Sequence, residues 1–256
     1  MPYADVDTDA DPTRLIEHLD LTAHGQSGIK HYVAAHLAAF APPGLILDIG
    51  CGAGHDLEIL ARHGRTAIGV DPSAVMLAEA ADRATRAQAP RIMATGASLP
   101  LRDDCFAGVR MERVLMHVDD PVAVIGEAVR CLMPGGHICL YEPDWTRFRI
   151  PSEVAGDDAS WLTALRQPDA ARLMWTRLEA AGCIVYDRVE ELSIWRSITL
   201  LDSLLGFEGP LARAVASGRL DQDTADRWRS EQVARDRAGV FQATIPKILI
   251  VARVPD

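Results

Sequence analysis

The chain reads as an α/β protein built on a doubly wound, mostly parallel sheet, and three observations predict it. Short apolar strands alternate with helical stretches from Leu45 to Gly136. The strand Leu45 to Ile49 runs into Gly50, Gly52 and Gly54 and then into a helix. A second apolar run, Thr66 to Val70, ends in Asp71, nineteen residues after Gly52. Repeated strand–helix–strand units imply crossovers of one hand, helices on both faces, and ligands received at the carboxyl ends of the strands.

Taken in order, residues 11–40 carry Leu15, Leu19, Ile29, Val33 and Leu37 at helical spacing, which predicts one or two helices forming a cap over residues 1–44. The main domain then spans residues 45–256. Arg91 to Ala94 is a short strand, Thr95 to Leu101 a loop, and Phe106 to Glu112 another strand. Asp120 and Pro121 start a helix with Val122, Ile125, Val129 and Leu132 on one face, and Pro134-Gly135-Gly136 stops it. Residues 200–240 predict a helical insertion before the last strand, Thr244 to Val254, placed to act as a lid. Ile150 to Asp158, with Pro151 and Gly156, is the stretch most like a linker.

Composition narrows the function. The net charge is −10, from 26 basic and 36 acidic side chains, and lysine occurs only at Lys30 and Lys247. A nucleic-acid substrate needs a basic track to displace counterions from phosphate, so none is expected. The five cysteines lack C-x-x-C spacing, which speaks against a zinc site or a disulfide framework. No apolar run is long enough to span a bilayer and the N-terminus has no apolar leader core, so a cytoplasmic protein without a membrane partner is the expectation. A homodimer is an open expectation.

The glycines point to a nucleoside cofactor. They permit positive φ and close approach of a ligand to the main chain, and the following helix offers unpaired N–H groups at its start. A dinucleotide fingerprint would place its third glycine where His55 stands, which counts against NAD. The alternative for the glycines is a plain structural turn.

Asp48 with Gly50-Cys51-Gly52-Ala53-Gly54 resembles motif I of the class I S-adenosylmethionine (SAM) methyltransferases. Pro72-Ser73-Ala74-Val75-Met76-Leu77 is similar to that family's stretch after the second acid. The run from Glu112 and Arg113 through His117 to Pro121, and then Tyr141 to Trp145, is similar to its UbiE-like, type 11 branch. The resemblance implies a Rossmann-like sheet of seven strands and SAM as cofactor. It implies that Asp48, Gly50, Cys51, Gly52 and Gly54 underlie the methionine moiety, and that Asp71 holds the ribose hydroxyls with Pro72 and Met76 beside the adenine. Thr95, Gly96, Ala97 and Ser98 then form the adenine loop, and Glu112 and Arg113 close the donor site. Thr95 stands where the family usually has an aspartate and Ala107 where it usually has an acid, so a looser adenine contact is expected.

Methyl transfer from a sulfonium is an in-line displacement that needs alignment, dryness and, for a protonated nucleophile, a base. His117 is the first candidate base, because imidazole titrates near neutrality; a structural, hydrogen-bonded histidine is the bland alternative. Glu142 and Asp144 follow as catalytic candidates. Tyr32, with His31 and His24, and Trp145, with Trp161, Trp175, Trp195 and Trp228, are candidates to touch substrate, against ordinary helix surface and packing roles. The reading is a SAM-dependent methyltransferase of a small, natural-product acceptor, with oxygen, nitrogen and carbon acceptors all open. The runner-up is a SAM-binding protein of the same fold acting as a cyclase or non-methylating partner.

Overall fold

The computed structural model describes Asp7, residues 27–163 and residues 165–256; the predicted helix positions Leu15 and Leu19, and His24, lie outside them. The described chain forms one seven-stranded sheet of order β3-β2-β1-β4-β5-β7-β6. Its strands are β1 (Leu45–Ile49), β2 (Ala67–Asp71), β3 (Arg91–Met93), β4 (Phe106–Glu112), β5 (Leu132–Pro143), β6 (Ile184–Trp195) and β7 (Ala243–Arg253). The first five are mutually parallel, while β7 runs antiparallel to both of its neighbours. Strand order reverses between β1 and β4, which opens a crevice at their carboxyl ends.

Helix α1 (Ser27–Phe40) packs on one face with α2 (His55–Arg62), α3 (Ala74–Glu79) and α4 (Ala81–Arg86) following β1 and β2. Val33 and Leu37 of α1 are buried with Leu57, Leu60, Ile46, Cys139, Leu249 and Val251. Gly108 permits this approach, since a Cβ there would come within 2.9 Å of Leu37 and 2.8 Å of Ile46. The other face is covered by α5 (Pro121–Cys131) and α6 (Ala170–Ala180), which bury Leu47, Ile49, Val109, Met111, Ile138 and Leu140. Strand pleating explains the split, because alternate residues of each strand feed opposite faces.

Helix α5 starts as predicted. Asp120 accepts from the backbone N–H groups of Val122 and Ala123 at 2.9 and 3.0 Å, and Pro121 occupies the first turn. Its buried stripe is Val124, Ile125, Ala128 and Cys131, so Val122, expected inside, is exposed. The helix also ends before Leu132, whose backbone is extended, and Pro134-Gly135-Gly136 falls in a bulge at the start of β5. The Ile150 to Asp158 stretch is no free linker: Ile150 is fully buried, and the Ser152 hydroxyl donates to Glu231 at 2.6 Å.

Between β6 and β7 the chain inserts α7 (Ile198–Leu205), α8 (Glu208–Ala216) and α9 (Gln222–Arg237). Trp228 of α9 anchors them, stacking edge-on against Trp161 and Phe207 at centroid separations of 5.5 and 5.7 Å. No helix among the described residues is long and apolar enough to cross a membrane.

Candidate functional site

A cavity of about 650 Å³ opens at the carboxyl ends of β1, β2, β4 and β5. Gly50 and Gly52 turn the chain at its floor with φ of +73° and +49°. A Cβ on Gly50 would stand 2.4 Å from Val114 Cγ2, so only glycine lets this turn lie against the end of β4. The Gly52 N–H donates to Asp71 Oδ2 and the Ser73 N–H to Asp71 Oδ1, both at 2.9 Å. Each carboxylate oxygen has capacity for a further donor, which fits a pair of vicinal hydroxyls. Burial raises the Asp71 pKa, and the two N–H donors oppose the rise. Asp7 closes this edge by accepting from the Ser73 hydroxyl at 2.5 Å and the Ala74 N–H at 3.0 Å.

Thr95, Gly96 and Ala97 line the next wall with Met76 and Val124. A Cβ on Gly96 would press on Ile49 at 3.1 Å and Val124 at 3.2 Å, which keeps this loop low against the sheet.

Beneath the glycine turn lies a buried ion cluster that sequence pattern does not foretell, apart from Asp48 and Glu112. Asp48 and Arg110 are register partners on β1 and β4, and their side chains meet at 2.9 Å. Arg110 also contacts Asp56 at 2.9 Å and Glu112 at 2.8 Å, and Lys30 of α1 reaches both of those acids at 2.7 Å. Burial pushes the Asp48 carboxyl up to about 7 despite Arg110. For Asp56 burial acts the same way, but Arg110 and Lys30 overcome it and hold the group well below the usual range. The available signal was an arginine inside an apolar strand and a lysine inside an apolar helix.

Arg113 follows β4 with φ +57°, an unfavourable region for a residue with a side chain, and its N–H donates to the Tyr141 carbonyl at 2.9 Å. The turn after it carries His117 to the cavity wall. Burial, then Arg113 and Arg166, lower the His117 pKa to about 3.

Of the other candidates, Cys51, Pro72, Glu112, Arg113 and Trp145 line the cavity, whereas Asp48, Gly54 and Ser98 lie outside its wall. Glu142 and Asp144, expected as catalytic acids, are buried away from it. Glu142 Oε1 accepts from the Val114 and Leu115 N–H groups at 2.6 Å each, and Asp144 accepts from Thr146. Both hold backbone turns in place. Tyr32, expected at the substrate, donates to Asp187 on β6 at 3.0 Å and does not reach the cavity, because its face of α1 is turned to the sheet edge. Only Trp145 and Trp195 of the five tryptophans are on the wall. Trp145 donates its indole N–H to Met116 Sδ at 3.1 Å. Leu201, Leu204 and Leu205 of α7 face them, and buried Lys247 of β7 completes this half, its pKa lowered by burial to about 8.

Comparison with known proteins agrees with this geometry. A family described as a methyltransferase domain matches residues 47–140. The trans-aconitate 2-methyltransferase of Methylobacterium nodulans is 31% identical over 237 residues, covering 84% of this chain and 85% of that one. A 37.1 kDa protein of a Streptomyces fradiae transposon is 33% identical over 217 residues, 81% of this chain; the match spans 61% of that protein's length, less than two thirds. Among solved structures, geranyl diphosphate C-methyltransferase from Streptomyces coelicolor, in complex with S-adenosyl-L-homocysteine, superposes with a TM-score of 0.56 at 19% identity, over 89% of this chain and 77% of that one. The chain belongs to the class I SAM-dependent methyltransferases, whose cofactor is S-adenosylmethionine.

Proposed function

We propose that the protein transfers a methyl group from SAM to a small natural-product acceptor bound under α7. The observation that carries this reading is one continuous cavity whose floor is the glycine turn with Asp71, and whose opposite wall is apolar: Met116, Trp145, Trp195, Leu201, Leu204 and Leu205. Asp71 would hold the ribose hydroxyls, Met76 and the Thr95 to Ser98 loop would flank the adenine, and Lys30, Glu112 and Arg113 would face the methionine end. Bound SAM supplies an electrophilic methyl already activated by its sulfonium. The chain's own contribution is then alignment and exclusion of water by the apolar wall. His117, with a pKa near 3, stays neutral across the physiological range and is a weak proton acceptor. Positioning carries the catalysis in this reading, with Lys247 the better matched group where a proton must leave.

We assign residues 1–44 to a cap, residues 45–256 to the donor-binding domain, and the insertion at about 200–240 to a lid over the acceptor. Trans-aconitate and geranyl diphosphate, named for two of the proteins above, are both small acceptors. Turnover of labelled SAM against a panel of small oxygen, nitrogen and carbon nucleophiles tests the reading. Incorporation into a small acceptor supports it, and binding of S-adenosylhomocysteine without any transfer across the panel counts against it.

A further inference from the structure

At the end of the sheet opposite the cavity, three donor atoms from three different elements converge. His36 Nε2 of α1 lies 3.3 Å from His137 Nδ1 of β5. The Tyr186 hydroxyl of β6 lies 2.7 Å from the first and 2.8 Å from the second. His137 is six residues from Pro143 along β5, about 20 Å at the usual rise per residue. None of the three lines the donor cavity.

We propose that His36, His137 and Tyr186 form a binding site for a borderline divalent transition-metal ion, Zn²⁺, Ni²⁺ or Cu²⁺, that staples α1 onto β5 and β6.

The spacing is the first argument. A tetrahedral ion with metal–nitrogen bonds of about 2.0–2.1 Å holds its two nitrogens roughly 3.3 Å apart, which is the separation already present. The phenol oxygen must withdraw by only about half an ångström to take a third position of the same geometry, and Tyr186 is 44% exposed, so it has room to move and gives the ion a path in.

Backbone design is the second argument. The ladder between β6 and β7 pairs Val185 with Ala252 and Asp187 with Val251, leaving Tyr186 as the extra residue of a bulge. Such bulges re-aim side chains, and here successive residues both reach α1: Tyr186 meets His36, and Asp187 accepts from Tyr32 at 3.0 Å. Asp187 therefore stands within electrostatic reach of His36 and is placed to offset the ion's charge. No three His, Cys, Asp or Glu side chains cluster for a metal among the described residues; the third donor here is a phenol. Two imidazoles with one phenol oxygen suit borderline ions and not Mg²⁺ or Ca²⁺, which require oxygen shells.

The test is calorimetric titration of untagged full-length protein with Zn²⁺ and, separately, Mg²⁺. Two other exposed donor sets among the described residues, the His31 and His63 pair at 3.0 Å and the partly exposed Cys105, are removed in a His63→Ala, Cys105→Ser background. In that background one Zn²⁺ per chain should bind and Mg²⁺ should not. Losing even an outer-shell partner of a metal site costs about 10–100-fold, so His36→Ala or His137→Ala should weaken Zn²⁺ by at least about a hundredfold. Should either alanine variant fail to fold, Tyr186→Phe decides: wild type with Cu²⁺ should show a phenolate-to-metal absorption that this variant lacks. Equal Zn²⁺ affinity in folded His36→Ala, or identical Cu²⁺ spectra for wild type and Tyr186→Phe, overturns the site.

Discussion

Glu142 Oε1 accepts the backbone N–H groups of both Val114 and Leu115, each at 2.6 Å, and so fixes the turn that carries His117. The carboxyl is fully buried and Glu142 Oε2 has no hydrogen-bond partner among the described residues. Burial is the leading cause that pushes its pKa up to about 8, against the two N–H donors. A raised carboxyl pKa stabilises the fold fully below the unfolded value, about 4.3 for Glu, and that stabilisation is lost as pH rises to the folded value. Stability should therefore fall between about pH 4.5 and 8, by at most roughly 1.4 kcal/mol for each step of one in pH. Asp48, raised to about 7, adds a slope of the same sign. In Glu142→Gln the amide oxygen still accepts both N–H groups while the titration is gone, so urea midpoints should show a shallower slope. A slope equal to wild type would mean that Glu142 is ionised throughout.

Asp71 joins the glycine turn to the loop after β2 through its bonds to Gly52 and Ser73. Asp71→Ala should weaken S-adenosylhomocysteine binding by roughly 2–4 kcal/mol, because charge-assisted hydrogen bonds are worth about 1.5–3 kcal/mol each and are not fully additive. Calorimetry reads this directly. Unchanged affinity in a folded variant would place the ribose elsewhere.

Gly50→Ala separates strain from contact. A residue other than glycine at φ +73° costs roughly 1–2 kcal/mol, and the added methyl overlaps Val114 Cγ2 at 2.4 Å, an overpacking cost of about 1–3 kcal/mol more. Val114→Ala should recover the second part and not the first. A double-mutant cycle in urea measures the coupling, and none at all would mean the turn shifts to avoid the contact.

What the sequence made legible follows from local chemistry. Gly50, Gly52, Asp71 and the Asp120 cap announce themselves because each does its work within a few residues of its own backbone or at the end of a neighbouring strand. The charge cluster was legible only in part: Asp48 and Glu112 stand in motifs, but Lys30, Asp56 and Arg110 join them only through sheet register and the packing of α1. Strand β6 was missed for another reason: as an edge strand with every residue exposed or half-exposed, its apolar side chains have no continuous stripe to display. Glu142 and Asp144 were misplaced because an acid at a strand end can serve the ligand or the backbone. Burial by neighbouring turns decides between the two.

His117 offers the sharpest test of how the methyl is moved. It sits on the cavity wall on the turn held by Glu142, with a pKa pulled to about 3 by burial, Arg113 and Arg166. A true general base contributes about 10²–10⁴-fold and leaves its own pKa in the pH–rate profile. A neutral imidazole that only positions the acceptor contributes less and leaves none. His117→Ala should therefore lower the single-turnover rate by under about tenfold while S-adenosylhomocysteine affinity changes little, and the acidic limb above about pH 5 should not move. A lowered histidine pKa also destabilises the fold as pH falls below the unfolded value of about 6.5, so His117→Gln should resist acid better than wild type. A drop beyond about a hundredfold together with loss of an acidic limb would restore His117 as the base. Its pKa in the complex would then have to lie far above that of the free protein.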